Sequence, residues 1–419
     1  MRAWKHSRVS SKAPRRELAC LFVSLVILTL ASCHGSSPTP FEPGAVDLTQ
    51  PKIINLYPVA MTTGNPARLF IFVKGVGSHG YNLPLAFDTG SAGITLNAAQ
   101  IFPEGTVTST GFAVPLPYTF DGITVTSQQG TRTYGNFTSG RTEHGNLGYA
   151  AVTFGDADGT VTTSEMPMFL YYDVTFNDAT PNPDGSIPSA PAQVQQGWFG
   201  VNTDPDFIPI KGSDAQPSSG GNPACSKDSE GSCYVDSVLK HVTYTGIDAG
   251  FALFKTGLAT CDITNPGNCP QAPVLTVGLT PAVTEGFSFM GLSCPPARYD
   301  GAPYSGPSMI GQYPVCVSSI STFTISSGGL SFPATVLFDS GTPYVAVNVP
   351  QTATFTGPAI GATLDVTARV GFLYSLVAGT GVDAVAVTQD SGAESIVGLP
   401  FFTTNDFFID FANNTEGWK

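Results

Sequence analysis

One short pattern occurs twice in this chain, and it restricts the possible folds more than any other feature. Leu85-Ala86-Phe87-Asp88-Thr89-Gly90-Ser91 and Val336-Leu337-Phe338-Asp339-Ser340-Gly341-Thr342 share three apolar residues, Asp, a hydroxyl residue, Gly and a second hydroxyl residue. Each copy predicts a buried strand that runs into a tight turn and presents a carboxylate. An apolar-apolar-Gly group follows each copy, as Trp198-Phe199-Gly200 and Ile396-Val397-Gly398. The duplication therefore predicts two related halves, each with one aspartate turn.

Two such carboxylates facing each other have a defined chemistry. Because like charges a few ångströms apart repel strongly, Asp88 and Asp339 cannot both ionise, and the pair shares one proton. The ionised member can take a proton from a water molecule while the protonated member donates to a carbonyl oxygen. The repeated turn therefore predicts hydrolysis of an unreactive amide.

Composition favours an all-β protein. The 419 residues include 46 Gly and 34 Pro, and only 12% are charged. Abundant turn formers together with Val, Thr, Phe and Tyr are typical of strands and turns, and one helix is predicted near Val235 to Val242. The formal net charge of −13 argues against a nucleic-acid partner.

Metal ligands are sparse in the sequence. Its five His residues form no HExxH motif. Asp156-Ala157-Asp158-Gly159 can be a calcium loop or a hairpin turn, and its position after a strand favours the turn. His144 beside Glu143 is expected to be a solvated loop residue. The chain is therefore expected to need no cofactor and no metal.

The N-terminus predicts export. Six basic residues precede the apolar run that ends in Leu30-Ala31-Ser32-Cys33, which resembles a bacterial lipobox with Cys33 as the lipidated residue. A plain secretory signal ending near Ser32 is the alternative. Residues 1–32 are then the signal and 33–52 a tether, and the protein is expected in the cell envelope, by default at the outer membrane of a Gram-negative bacterium. Without residues 1–32 the net charge becomes −18, from 12 basic and 30 acidic residues.

Cysteine usage agrees with export. Six cysteines remain after Cys20 and Cys33, and an even number in a turn-rich exported chain favours disulfides. The simplest of fifteen pairings joins Cys225 to Cys233, Cys261 to Cys269 and Cys294 to Cys316.

The two aspartate turns resemble those of pepsin-like, bilobed aspartic endopeptidases, in which each β-barrel lobe gives one Asp to a cleft. The resemblance implies lobes at residues 53–290, with an inserted disulfide-bearing loop near 212–269, and a shorter one at 291–419. It implies Asp88 and Asp339 as the catalytic pair and the apolar-apolar-Gly groups as psi-shaped loops beneath them. The implied dyad supports are Thr89, Gly90, Ser91, Ser340, Gly341 and Thr342, with Thr89 and Ser340 as an interlobe grip.

The substrate-covering flap carries the main departure from this family. Thr133-Tyr134-Gly135 resembles the flap hairpin, which makes Tyr134 the expected flap tyrosine. The tryptophan that commonly supports that tyrosine is Thr95 here.

The second lobe is also shorter than the first. Gly200 lies 112 residues after Asp88, whereas Gly398 lies only 59 residues after Asp339, so the second lobe is trimmed.

These features lead to one expected function and two alternatives. The expected function is a monomeric, membrane-tethered endopeptidase that hydrolyses extended polypeptides at acidic pH. The first alternative is a catalytically silent pepsin-fold binding or structural protein at the cell surface, which Thr95 and the trimmed lobe favour. The second alternative is a narrow processing enzyme for one envelope protein.

Overall fold

A computed structural model describes residues 47–60, 67–134, 141–176, 197–208, 233–263, 268–294, 298–299, 302–303, 309–310, 313–314, 316–318, 320–351, 353, 355–368, 371–389 and 394–419. The signal, Cys33, most of the tether and Cys225 lie outside these residues. Export and lipidation stay predictions, which mass spectrometry of the mature N-terminus would check. Within the described ranges no helix is both long and apolar enough to span a membrane.

Nearly all regular structure in these ranges is β. The strands of the first half are β1 (Asp47–Leu48), β2 (Lys52–Val59), β3 (Arg68–Val76), β4 (His79–Asp88), β5 (Ala92–Asn97), β6 (Val107–Thr108), β7 (Gly111–Phe112), β8 (Tyr118–Phe120), β9 (Ile123–Tyr134), β10 (Arg141–Ala150), β11 (Val152–Asp156), β12 (Gly159–Thr162), β13 (Met166–Phe176), β14 (Gly197–Val201), β15 (Asp206–Ile208) and β16 (Cys233–Val235).

The remaining strands are β17 (Thr243–Tyr244), β18 (Asp248–Leu253), β19 (Ala272–Leu279), β20 (Ser288–Gly291), β21 (Arg298–Tyr299), β22 (Ala302–Pro303), β23 (Met309–Ile310), β24 (Tyr313–Pro314), β25 (Ile320–Ser327), β26 (Leu330–Phe338), β27 (Val345–Val349), β28 (Thr363–Ala368), β29 (Leu373–Val377), β30 (Val385–Gln389), β31 (Ser395–Val397), β32 (Phe407–Asp410) and β33 (Thr415–Trp418). The described residues also form four short helices. Two are one-turn α-helices, α1 (Ala98–Ile101) and α2 (Leu399–Phe402), and two are 3-10 helices, Val238–His241 and Gly381–Asp383.

The first aspartate turn is built on a buried strand with an unusual neighbour. Strand β4 is buried continuously from Leu83 to Asp88, as expected for a strand covered on both faces. Strand β14 inserts between β4 and β5 and runs parallel to β4 and antiparallel to β5. Strand β13 lies on the other side of β5, parallel to it.

The second aspartate turn repeats that topology. Strand β31 inserts between β26 and β27, parallel to β26 and antiparallel to β27. Strand β30 then lies beside β27 and runs parallel to it, as β13 does to β5. The fold is therefore all-β with two halves of the same strand order, which confirms the duplication that the motif predicts.

A third group of strands links sequence-distant segments. Its order is β20-β33-β32-β18-β19-β2, and β2 continues into the first half through β3. Strands β18 and β20, which the sequence places with the first lobe, thus pair with residues 407–418. Phe338, Phe401, Phe407 and Trp418 pack here with ring centroids 4.7–6.4 Å apart. Each ring is almost fully buried, which contributes about 2–3 kcal/mol per side chain.

Several local expectations have clear outcomes. Cys261–Cys269 and Cys294–Cys316 are disulfides, whereas Cys225 is not described, so the third pairing stays a prediction. Asp156 and Gly159 are paired in the β11–β12 hairpin, which is the turn alternative. The helix expected over residues 235–242 is limited to the 3-10 turn Val238–His241.

Candidate active site

The two motif aspartates stand at equivalent positions of the two halves. Asp88 is the last residue of β4, and Asp339 follows the last residue of β26. Beside each lies its apolar-apolar-Gly group. Trp198, Phe199 and Gly200 pair in parallel register with Ala86, Phe87 and Asp88.

The second group repeats this contact. Ile396 and Val397 pair with Leu337 and Phe338. The carbonyl of Val397 accepts a 3.0 Å hydrogen bond from the Asp339 amide. These buried strands therefore fix the backbone from which each carboxyl projects.

Each carboxyl is held by its own turn. For Asp88, the Gly90 amide donates to Oδ1 at 2.8 Å and the Ser91 hydroxyl donates to Oδ2 at 2.6 Å. For Asp339, the Gly341 amide donates at 2.7 Å and the Thr342 hydroxyl at 2.6 Å. Two short hydrogen bonds on each carboxyl restrict its rotation.

The glycine of each turn packs against the opposite carboxyl. A Cβ built on Gly90 would lie 2.3 Å from Cγ of Asp339, and one built on Gly341 would lie 2.6 Å from Cγ of Asp88. Both distances are far below van der Waals contact. Only glycine allows the two turns to approach this closely, so these positions bring the two carboxyls together.

A reciprocal set of hydrogen bonds joins the halves directly below the carboxyls. The Thr89 amide donates to the Ser340 hydroxyl at 3.1 Å, and the Ser340 amide donates to the Thr89 hydroxyl at 2.9 Å. The Thr89 hydroxyl in turn donates to the Phe338 carbonyl at 2.8 Å, and the Ser340 hydroxyl donates to the Phe87 carbonyl at 3.0 Å. The two strand ends are thus tied together by four buried hydrogen bonds.

The paired carboxyls alter each other's protonation. Burial, the charge on Asp339 and the hydrogen bond between the two carboxyls raise the pKa of Asp88 to about 8, against the opposite effect of Ser91 and Gly90. A carboxyl that stays protonated near neutral pH beside a second carboxyl is the single-proton state that the sequence predicts.

Tyr134, the expected flap tyrosine, ends β9 and lies on an aromatic surface. Its ring stacks on that of Trp198 with centroids 4.6 Å apart and planes inclined by 19°. Thr95 pairs with Trp198 across β5 and β14, and its hydroxyl accepts from the Trp198 amide at 3.2 Å. Tyr134 therefore has a tryptophan beneath it although Thr95 occupies the usual position, because β14 supplies the indole.

Sequence reasoning missed a set of buried charges behind Tyr134. The Arg132 guanidinium lies 4.7 Å from the Tyr134 ring and donates both to Asp206 and to the Ala92 carbonyl. Asp206 also accepts from the Ala92 amide at 3.2 Å, directly after the first aspartate turn. Strand β9 is thereby connected to that turn.

Glu143 belongs to the same region, and its surroundings correct one expectation. His144 and Glu143 lie in strand β10 and not in a solvated loop. The Glu143 side chain is fully buried and pairs with Arg141 at 2.6 Å. Burial raises its pKa against the effect of Arg141. Residues 141, 143 and 145 are buried in the structure, but no apolar residue lies among 141–145, so the sequence carries no signal for this burial.

Sequence reasoning also missed Arg68, the first residue of β3. Its guanidinium carbon lies 5.5 Å from the centre of the Trp198 ring. Burial lowers its pKa, while the charges of Asp339, Asp88 and Tyr344 raise it. Both motif carboxyls are therefore among the charges that act on this cation. The described ranges contain no cluster of three or more His, Cys, Asp or Glu side chains able to hold a metal ion.

Comparisons with known proteins give only remote likenesses. No family model matches the sequence, and no curated protein matches it. The structure is similar to the aspartic proteinase from Irpex lacteus, at 14% identity and a TM-score of 0.48, over 88% of this chain and 97% of that chain. It is also similar to basic 7S globulin from soybean, at 12% identity and a TM-score of 0.49, over 89% of this chain and 96% of that chain.

The architecture follows from the chain's own topology. Both halves have the same strand order and each contains one aspartate turn, and the turns meet through Thr89 and Ser340. This arrangement is the all-β, two-lobed fold that the two motifs predict.

Proposed function

We propose that this protein is an aspartic endopeptidase that hydrolyses extended polypeptides. The observation that carries the proposal is the contact of the two aspartate turns across Gly90 and Gly341. In this contact the two carboxyls lie side by side and are joined by a hydrogen bond. Two carboxyls this close share one proton. Neither half supplies such a pair alone.

The chemistry follows from that pair. The ionised carboxylate removes a proton from a water molecule, whose oxygen adds to the carbonyl carbon of the peptide. The protonated carboxyl gives its proton to the carbonyl oxygen, so that a neutral diol forms. When the diol collapses, the carbon–nitrogen bond breaks and the nitrogen takes the proton that the first carboxyl removed from water. One diol hydroxyl returns its proton to the second carboxyl, so the pair again has its starting protonation. The short hydrogen bonds from Ser91 and Thr342 keep both carboxyls oriented throughout.

The rim of the site supports an extended substrate. Tyr134 lies at the end of a long hairpin strand, stacked on Trp198, and can cover a peptide placed over the carboxyls. The resemblance to aspartic endopeptidases implies apolar side chains next to the scissile bond and an acidic optimum, and the lipobox predicts attachment to the cell envelope through Cys33. These finer features are part of the proposal.

Single-atom changes at the carboxyls test the proposal. Wild-type protein, Asp88→Asn and Asp339→Asn are incubated with a diverse peptide library between pH 3 and pH 8, and the products are identified by mass spectrometry. We expect cleavage by the wild type alone, inhibited by a statine-type peptide, and loss of at least about 1,000-fold in kcat/KM in either variant. Circular dichroism confirms that the variants are folded.

Two outcomes would oppose the proposal. Cleavage that survives either substitution would assign the chemistry to other residues. A folded wild-type protein that binds library peptides without cleaving any would favour the silent binding protein. Cleavage of one envelope protein alone would identify the narrow processing enzyme.

A further inference from the structure

Arg68 lies near the ring of Trp198, which stacks on Tyr134, and it makes no direct ion pair with either motif carboxyl. Its guanidinium rests 5.5 Å from the centre of the Trp198 ring. Asp339, Asp88 and Tyr344 are the charged or titratable groups that act on it, and Asp339 acts most strongly. Among the described side chains, no carboxylate oxygen lies within ion-pair distance of it.

The hydrogen bonds of Arg68 are also incomplete. Nη1 donates to the carbonyl of the preceding residue, Ala67, at 3.0 Å. The Nε atom is inaccessible to solvent and has no acceptor. The indole N–H of Trp198, in the ring below, is likewise buried without an acceptor. Two neighbouring buried donors therefore lack the acceptor that folded proteins normally supply.

The other arginines with described side chains differ from Arg68 in having an ion-pair partner, although Arg132 Nη1 is also buried without an acceptor. Arg132 pairs with Asp206, and Arg141 pairs with Glu143. Charged groups withdrawn from water are normally paired in this way. Arg68 has no such partner and is only partly buried, so its charge stays open to a group from outside.

The motif carboxyls are not the missing partners. Asp88 already accepts from Gly90 and Ser91, and Asp339 from Gly341 and Thr342. The guanidinium thus keeps donors for a group that comes from outside. A carboxylate matches the fork of an arginine because its two oxygens accept two parallel N–H bonds.

We propose that Arg68 is a specificity-determining residue that binds a carboxylate of the substrate close to the scissile bond. This inference rests on the proposed endopeptidase function. The carboxylate has two possible sources, the side chain of Asp or Glu in the peptide or its free C-terminus. Both present the same two oxygens to the guanidinium.

Matched peptides distinguish these sources. One library peptide that the wild type cleaves is resynthesised with Glu or with Gln at each position flanking the scissile bond, and with a free or an amidated C-terminus. We expect about 10- to 100-fold higher kcat/KM for the member that carries the carboxylate. Loss of this preference with Gln identifies the side chain, and loss on amidation identifies the C-terminus.

Arg68→Gln and Lys74→Gln provide the matched protein variants. Both remove one positive charge from strand β3, but Lys74 faces the Phe72 ring and Asn82. We expect Arg68→Gln to abolish the carboxylate preference while cleavage of the neutral peptide persists, and Lys74→Gln to retain the preference. In the wild type, the Glu preference should also vanish as pH falls below about 4, where the peptide carboxyl becomes neutral.

The opposing results are separate from those of the proposed function. An unchanged Glu/Gln ratio in Arg68→Gln would overturn the inference, as would equal loss of both peptides in a folded variant. If the wild type cleaves no peptide, the proposed function fails; calorimetry with a library peptide that the wild type binds, resynthesised with Glu and with Gln, then decides the role of Arg68. Equal affinity for both peptides then refutes it, and tighter binding of the Glu peptide, lost in Arg68→Gln, supports it.

Discussion

The two hydroxyl residues of each aspartate turn have different partners. The outer ones, Ser91 and Thr342, donate to the carboxylate of their own turn. The inner ones, Thr89 and Ser340, bond across to the opposite half. The glycine between them has a third task, since it admits the opposing carboxyl. Each position of the four-residue pattern thus has a separate physical requirement.

The close approach at Gly90 predicts a large effect of one methyl group. In Gly90→Ala the new Cβ would lie 2.3 Å from Cγ of Asp339, which two hydrogen bonds hold in place. The turns must separate, and a displacement of about 1 Å is enough to reduce kcat/KM by about 100-fold. Peptide cleavage assays at pH 5 measure this effect.

Gly257→Ala is the matched control for that change. A Cβ at Gly257 meets no atom within 4 Å, so activity should stay within about twofold of the wild type. Equal activity in the two variants would mean that the carboxyls do not need this spacing.

At the level of strands, β14 combines two functions. It fills the space between β4 and β5, and it presents Trp198 to Tyr134. The sequence identifies Trp198 only as a buried aromatic after the first motif. Its contact with Tyr134 depends on the register between β14 and β5, whose residues are about 100 positions apart, so no local pattern could predict it.

That contact predicts graded effects at position 198. Trp198→Phe keeps a ring beneath Tyr134 and should keep kcat/KM on a neutral peptide within about threefold. Trp198→Leu removes the stacking, worth about 0.5–1.5 kcal/mol, and should lower kcat/KM about 2- to 10-fold. Thermal unfolding shows whether either protein is folded.

A double-mutant cycle with Tyr134→Ala separates flap support from packing. If Trp198 acts through Tyr134, then Trp198→Leu should have little further effect on kcat/KM in the Tyr134→Ala background. Fully additive effects would show that Trp198 contributes to catalysis independently of Tyr134.

Across the whole molecule, buried carboxyls couple folding to pH. Burial raises the pKa of Asp88 to about 8 and that of Asp204 to about 7, and it also raises the pKa of Asp206, Glu143 and Glu416. Between the unfolded pKa of about 4 and these higher values, the folded state binds more protons than the unfolded state. The free energy of unfolding must therefore fall as pH rises through this range.

This linkage predicts a stabilising substitution. Asp88→Asn removes a carboxyl whose deprotonation is unfavourable in the folded state, so it should raise the melting temperature at pH 8 and leave it nearly unchanged at pH 4. Differential scanning calorimetry at both values measures the effect. Asp248→Asn, at an exposed carboxyl, should change neither. Equal stability of wild type and Asp88→Asn at pH 8 would contradict the raised pKa.

The sequence predicts the two aspartate turns and the fold well, but it does not predict the central sheet or the role of Arg68. The paired aspartate turns and their following Gly groups are repeated in order, so the all-β, two-lobed arrangement follows from them. The pairing in the central sheet is harder to predict, because β18 and β20 follow the first half along the chain but pair with residues 407–418. Arg68 was not predicted as a site residue because a single arginine at the start of an apolar strand carries no motif.

The central sheet also has a consequence for biosynthesis. Strands β32 and β33 cover β18 and β20, and their partners are separated from them by more than 100 residues. Until residues 407–418 leave the ribosome, the edge of β18 and the Phe251 ring have no partner from these strands. The central sheet of the nascent chain must therefore remain incomplete until residues 407–418 have been synthesised. A polypeptide in this state stays suitable for threading through a protein-conducting channel, where a folded lobe would not pass.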